Sequence, residues 1–159
     1  MRKIRKSVFE TNSSSMHSLI LKKSEETKDI SALKLDDDGY LHIELNDYSD
    51  LKKDLKEVNE ILSFVASYMI EYGYYNGWSE KNNYEREPNP EEMKEFKGID
   101  ILEKIVKKYT GAKGIVIEKI TQGHFPSAES FNISEEKMFN SSILEQLIFG
   151  KENYIEKWE

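Results

Sequence analysis

The chain has 159 residues, of which 38% are hydrophobic and 33% are charged, a composition typical of one globular domain spanning residues 1–159. It contains no cysteine, which excludes a disulfide framework, thiolate metal ligands and a cysteine nucleophile. No stretch has the 18 or more apolar residues of a membrane-spanning helix, and no apolar signal core follows the basic start. We therefore expect a cytoplasmic protein with no membrane partner.

The formal charge of −7 is unevenly distributed along the chain. Residues 1–23 carry six basic side chains and one acidic side chain, a net charge of +5, which leaves −12 for the remainder. A positive end attracts phosphates or carboxylates, whereas an acidic body repels nucleic acid, so broad nucleic-acid binding is not expected. The alternative is that the basic residues only balance neighbouring acids when the chain folds.

The first elements in chain order are short strands. Alternating apolar and charged residues predict a strand or extended arm over residues 2–10, and SLILKK predicts a second strand over residues 18–23. A hairpin follows, with strands Ala32–Leu35 and Tyr40–Leu45 on either side of the turn Asp36–Gly39.

One long helix is predicted next. Apolar residues recur three and four positions apart from Ser49 or Asp50 to Tyr72, and Gly73 is placed to end the helix. Ser49 is a good N-cap residue. Residues 73–90 mix glycine, asparagine and proline with aromatic residues, and this composition predicts a long loop.

The rest of the chain alternates between helices and strands. The predicted elements are a helix that begins near Pro90, a helix Gly98–Tyr109 that Gly111 ends, a strand Gly114–Ile120, a loop 121–133, a helix Glu135–Phe149 that Gly150 ends, and an edge strand Asn153–Ile155. Strands near both chain ends with helices between them predict the α+β class: a mostly antiparallel sheet packed against one long helix plus two shorter helices.

A hydroxyl-rich segment near the amino terminus is the main candidate binding site. Hydroxyl and backbone N–H groups can surround an anion, and Arg5 and Lys6 supply positive charge from the preceding strand. His17 beside a serine could act as a general base or acid. The alternative is a loop whose hydroxyls bond their own backbone. The predicted ligand-binding residues are Arg5, Lys6, Glu10, Thr11, Asn12, Ser13, Ser14 and Ser15.

A second polar loop contains His124. His17 and His124 could share a catalytic site if the strands that carry them are neighbours in the sheet. A metal held with Glu10 or Glu129 is conceivable chemistry, but neither loop has the H-x-x-x-H ligand spacing, so no metal site is predicted. The alternative for His124 is a turn residue before Pro126, and His42 is expected to be a surface histidine.

An aromatic segment lies in the predicted loop 73–90. Its rings could stack a base, but a basic groove normally accompanies such stacking, and glutamates flank this stretch. A protein contact or a lid over the polar loop fits better, and packing against one end of the core is the alternative. The aromatic residues are Tyr72, Tyr74, Tyr75, Trp78 and Tyr84, and the glutamates are Glu71, Glu80, Glu85 and Glu87.

The opening RKSVFETNSSSMHS resembles the start of a group of small bacteriophage and Firmicutes proteins, which begin with a basic stretch followed by F-E-T-N-S-S-S-x-H-S. The segments GHFPS and LEQLIFGKENYI resemble later parts of the same proteins more loosely. The resemblance implies a phage or mobile-element setting in a bacterial host cell and carries no activity with it.

Two functions follow from these patterns. The first is binding of a phosphate-bearing ligand such as a nucleotide in the amino-terminal loop, with phosphoryl or nucleotidyl chemistry if the protein is an enzyme. The alternative is a non-enzymatic acidic inhibitor of a host defence (anti-CRISPR-like) or of another host nucleic-acid enzyme, through protein contact. That contact would use the aromatic loop and an acidic helix face formed by Asp50, Asp54, Glu57 and Glu60.

Overall fold

A computed structural model of the chain describes residues 8–10, 17–48, 53–83, 86–118 and 133–157, with the backbone alone for residues 8–10, 17, 18 and 157. The strands are β1 Val8–Glu10, β2 His17–Lys22, β3 Tyr40–Ile43, β4 Gly114–Ile117 and β5 Tyr154–Lys157. The helices are α1 Val58–Gly73, α2 Ser79–Lys81, α3 Pro90–Met93, α4 Ile99–Thr110, α5 Glu135–Met138 and α6 Ser141–Phe149, with a π-helical segment Tyr74–Trp78 between α1 and α2.

The predicted α+β class is confirmed, with the strands divided between two small sheets. One sheet is antiparallel in the order β1-β2-β5, so β5 is an edge strand as predicted. The other sheet pairs β3 with β4 in parallel. Parallel neighbours need a long crossover, and here the chain from β3 to β4 passes through the four helices α1–α4.

Helix α1 is the centre of the core. Every residue from position 61 to position 71 is buried, and the helix packs against α4, α6 and β3. A helix that is buried on all sides has no solvent-facing stripe, which explains why apolar and small residues occupy nearly its whole circumference. The predicted long core helix is thus present.

The predicted start of that helix is wrong. Helix α1 begins at Val58, where the side chains of Glu57 and Glu60 form a reciprocal capping box. Leu55 is extended and exchanges backbone hydrogen bonds of 2.9 and 3.0 Å with Ile155 of β5. Leu55 is buried even though its backbone is extended. Its apolar side chain therefore fitted the predicted helical spacing without belonging to a helix. The proposed N-cap, Ser49, lies outside the described residues.

The predicted loop over residues 73–90 is largely helical up to Lys81. Gly73 is the last residue of α1 but does not stop the helical path as predicted, because its backbone is right-handed helical and the chain continues into the π-helical segment. A Cβ atom at Gly73 would lie 2.5 Å from the ring of Phe96, so this glycine permits close packing rather than a chain reversal. The distortion comes at Gly77, where φ is 134°.

The remaining comparisons concern a predicted turn, the last predicted helix and two predicted helix ends. The turn Asp36–Gly39 forms as predicted, but a single bridge between Leu35 and Leu41 replaces the first strand of the hairpin. The predicted last helix is divided, because Asn140 is extended and caps α6 by accepting the Ile143 N–H at 3.0 Å. The predicted helix ends at Gly111 and Gly150 are confirmed.

Candidate functional site

Most of the predicted binding residues lie outside the described part of the chain. Arg5, Lys6, Thr11, Asn12, Ser13, Ser14, Ser15 and His124 belong to this group. Glu10 ends β1 and His17 begins β2. The anion-binding loop and its catalytic histidines therefore stay predictions, and the structure bears only on the strands that hold the two ends of the loop.

Those strands place the two ends of the loop on neighbouring parts of one sheet. Glu10 of β1 pairs with Ile20 of β2, and His17 lies three residues before Ile20 on the same strand, a span of about 10 Å. On the other side of β2, His17 pairs with Lys157 of β5. Directly opposed residues of an antiparallel pair have Cα atoms about 4.5–5.5 Å apart. A lysine that the sequence analysis did not single out thus lies across from the predicted catalytic histidine.

The segment that carries the second predicted catalytic histidine, His124, lies outside the described residues. His17 belongs to the antiparallel sheet, and the His124 segment follows β4 of the parallel sheet in the chain. The described chain stops at Glu118 and resumes at Ile133, whose carbonyl accepts the hydroxyl of Tyr68 at 3.3 Å. The shared histidine site therefore stays a prediction.

His42 is exposed, as predicted, and its ring lies between two carboxylates. Its Nδ1 lies 2.7 Å from the Glu118 carboxylate, and its Nε2 lies 2.7 Å from the Asp36 carboxylate. The hydrogen bond to the Asp36 carboxylate, and next in size the one to Glu118, raise the pKa of His42. Both carboxylates accept a hydrogen bond only when both ring nitrogens carry a proton. Backbone N–H donation from Tyr40, followed by the His42 hydrogen bond, lowers the pKa of Asp36.

In its protonated form, His42 joins two carboxylates through its two ring nitrogens. The sequence holds only part of the signal for it, since Asp36 and His42 lie near each other but Glu118 is 76 positions away. The parallel register, in which His42 pairs with Val116, brings Glu118 alongside. Both ring nitrogens are occupied, so His42 is not available for general-base chemistry in this form.

A groove of about 530 Å³ lies beside His42, between β3 and α1. Its polar wall is a network in which Tyr48 donates to the Ser63 hydroxyl at 2.9 Å and Ser63 donates to the Glu44 carbonyl at 2.6 Å. Asn46 donates to the same Ser63 oxygen at 3.0 Å. Burial raises the pKa of Tyr48, which keeps its phenol protonated. Because these groups satisfy one another, we read the network as a structural tie between residues 44–48 and α1.

The acidic helix face predicted for a host-protein contact is wrong. Asp54 and Glu57 precede α1, and Glu60 of its first turn forms an ion pair of 2.5 Å with Lys53. Asp50 lies outside the described residues. Asp54, Glu57 and Glu60 cannot share one helix face, because of these three residues only Glu60 belongs to α1.

Residues 8–10, 17–48, 53–83, 86–118 and 133–157 hold no group of three or more histidine, aspartate or glutamate side chains that could bind a metal ion. In the same residues, no helix is both long enough and apolar enough to cross a bilayer.

The described residues thus define a mixed α+β protein with two small sheets around a central buried helix. Comparison with protein-family profiles, with curated proteins and with solved structures found no match to this chain. The resemblance of the opening segment to phage and Firmicutes proteins stays a prediction, and the function has to be argued from the chain itself.

Proposed function

We propose that the protein binds a phosphate-bearing ligand, such as a nucleotide, at the hydroxyl-rich connection between β1 and β2. The observation that carries the proposal is the pairing of His17 with Lys157 at the end of β2 where that connection arrives. A protonatable imidazole and a lysine side chain belong to directly opposed residues there. Both residue types bind phosphate oxygens in proteins.

The composition of the connection supplies the remaining donors. Thr11 and Ser13–Ser15 provide hydroxyl groups, and successive backbone N–H groups can bind an anion. The net charge of +5 on residues 1–23 favours a phosphate at this end of a chain whose remainder carries −12. If the ligand reacts, phosphoryl or nucleotidyl transfer is the expected class, with His17 and His124 as the proposed proton-transfer groups.

Calorimetric titration of the full chain with inorganic phosphate and with AMP at low ionic strength tests this proposal. We expect binding in the micromolar to millimolar range, weakened about tenfold or more when Ser13, Ser14 and Ser15 are changed together to alanine, because each hydrogen bond to a charged group contributes about 1.5–3 kcal/mol. Lys157→Ala tests the paired lysine. Ser142→Ala, an exposed serine in α6, is the matched control.

Absence of binding heat with both compounds would refute the proposal, as would equal affinities for the triple variant and the control. In that case the alternative, contact of the acidic chain with a host protein, becomes the leading hypothesis. It predicts a partner from host lysate whose binding weakens with salt and is unaffected by His17→Ala.

A further inference from the structure

A second cleft, far along the chain from the amino-terminal loop, opens where α1 passes into the π-helical segment. It has a volume of about 550 Å³. Its aromatic walls are Tyr72, Trp78 and Phe96, and Lys81 and Lys97 stand on its lining. Sequence analysis assigned Trp78 to a loop, whereas the structure places Tyr72 in α1, Trp78 in the segment that follows α1, and Phe96 in the turn between α3 and α4.

Neighbouring side chains inside and outside the cleft hold the ring of Trp78 in place. The ring of Trp78 stacks on Tyr74 with centroids 5.8 Å apart and is tilted against Phe96 at 6.4 Å. The Arg86 guanidinium lies 4.9 Å from the Trp78 ring and is fixed by two hydrogen bonds of 2.6 and 2.8 Å to Glu92. Trp78 is therefore positioned before any ligand arrives, which reduces the entropy lost on binding.

The described glutamates that flank the aromatic segment in sequence do not line this cleft. Among the described residues that line it, no side chain is acidic and both charged ones are lysines. Glu71 is buried, and Glu80 and Glu87 are not part of the lining. A base-stacking site requires cations beside its rings, and the two lysines supply them here. The carboxylate of Glu135 lies next to the lining and accepts the hydroxyl of Tyr72 at 2.6 Å.

The two lysines differ in how they are held. Lys81 makes no hydrogen bond or ion pair within the described part of the chain, so its ammonium group is free to meet an anion. Lys97 lies 4.4 Å from the Phe139 ring centroid and 3.2 Å from the Glu135 carboxylate. Lys97 and Glu135 are both more than half exposed, so an incoming phosphate can compete for this lysine at little cost.

The backbone beside the cleft is also unusual. The helical path is kinked within the segment Tyr74–Trp78, where Asn76 and Gly77 have non-helical backbone angles. Gly77 has a φ of 134°, and a Cβ atom placed on it would have nothing within 4 Å, so the chain leaves open space at this edge of the cleft. This observation is independent of the charges and rings.

From these features we propose that the cleft binds a small anion that carries an aromatic ring, such as a nucleoside monophosphate. The ring lies among Tyr72, Trp78 and Phe96, and the phosphate is bound by Lys81 and Lys97. This proposal rests on different residues from the proposed amino-terminal site, and neither proposal depends on the other.

The fluorescence of Trp78 reports on this site directly. The chain has two tryptophans, so Trp158→Phe leaves Trp78 as the single tryptophan probe. In that background we expect AMP to change the emission with a saturable millimolar or tighter affinity, and adenosine and ribose 5-phosphate each to bind at least about fivefold more weakly. Lys81→Ala and Lys97→Ala should each weaken AMP binding about threefold to fivefold, the range of an exposed charge contact.

The matched control is Lys104→Ala, an exposed lysine of α4 that lies outside the cleft. The proposal is overturned if this control weakens AMP binding as much as the cleft variants, if ribose 5-phosphate binds as well as AMP, or if the emission of Trp78 does not respond. Binding of AMP that is lost in the Ser13, Ser14 and Ser15 triple variant and unchanged in Lys81→Ala would assign the nucleotide to the amino-terminal site and refute the cleft.

Discussion

The ammonium nitrogen of Lys28 lies 2.6 Å from the carbonyl oxygen of Gly150, where α6 ends. The same nitrogen donates to the carbonyl of Leu147 at 2.9 Å, and Lys28 is only 8% exposed. The last carbonyls of a helix lack intrahelical partners and carry partial negative charge, so a buried cation stabilises this end of α6. Desolvation nevertheless lowers the pKa of Lys28 to about 8.

The depressed pKa of Lys28 predicts a specific pH dependence of stability. The pKa of an unfolded lysine is about 10.4, so between about pH 8 and about pH 10.4 the unfolded chain holds more protons at this residue than the folded chain. The contribution of Lys28 to the free energy of unfolding should therefore rise with pH across this interval. Urea unfolding measures this contribution as the free energy of unfolding of wild type minus that of Lys28→Met, and this difference should increase with pH. The control is Lys34→Met, which replaces an exposed lysine and should give a difference that does not change with pH.

The ion pairs of His42 predict that its contribution to the free energy of unfolding falls as pH rises near neutrality. The raised pKa of His42 means that its stabilising contribution is complete below the unfolded pKa of about 6.5 and is lost as pH rises through the folded value. His42→Gln should lower the free energy of unfolding at pH 6 by about 0.5–1 kcal/mol, since the pair is exposed, and by less at pH 9. A deficit that does not shrink with pH or with added salt would contradict an electrostatic origin.

Gly73→Ala should destabilise the junction between α1 and the π-helical segment. The new methyl group would lie within 3 Å of the Phe96 ring, and overpacking of this kind costs about 1–3 kcal/mol. Phe96→Leu in the same chain should restore part of the loss by removing the clashing ring. A double-mutant cycle from thermal or urea unfolding measures this coupling, and strictly additive effects would show that the clash is not the cause.

Asn140→Ala should remove the N-cap of α6. Its side-chain oxygen accepts the N–H of Ile143 at 3.0 Å, and loss of such a cap costs about 1 kcal/mol. Asn140→Asp keeps the acceptor and should retain most of the stability, whereas Ser141→Ala is the neighbouring control without a capping bond. Equal unfolding midpoints for Asn140→Ala and Asn140→Asp would contradict the role of the cap.

The candidate sites show a division between local and distant information. The hydroxyl-rich segment could be singled out from composition alone, because its chemistry lies in consecutive residues. The pairing of His17 with Lys157 could not, because it joins positions near opposite chain ends. The same holds for the aromatic cleft, because its lining combines residues 72–81 with Phe96 and Lys97, which follow later in the chain.

Local sequence signals were sufficient to predict the α+β class, the turn Asp36–Gly39, the helix that ends at Gly111 and the strand that begins at Gly114. Periodicity, turn chemistry and β-branched residues act within a few positions, so they can be read directly. Three features depend on the folded chain instead: Leu55 is extended, the helical path continues beyond Gly73, and β3 pairs in parallel with β4. Each of these outcomes depends on a partner distant in sequence: Ile155 for Leu55, Phe96 for Gly73 and β4 for β3. Local patterns do not encode the burial and hydrogen bonds that such partners provide.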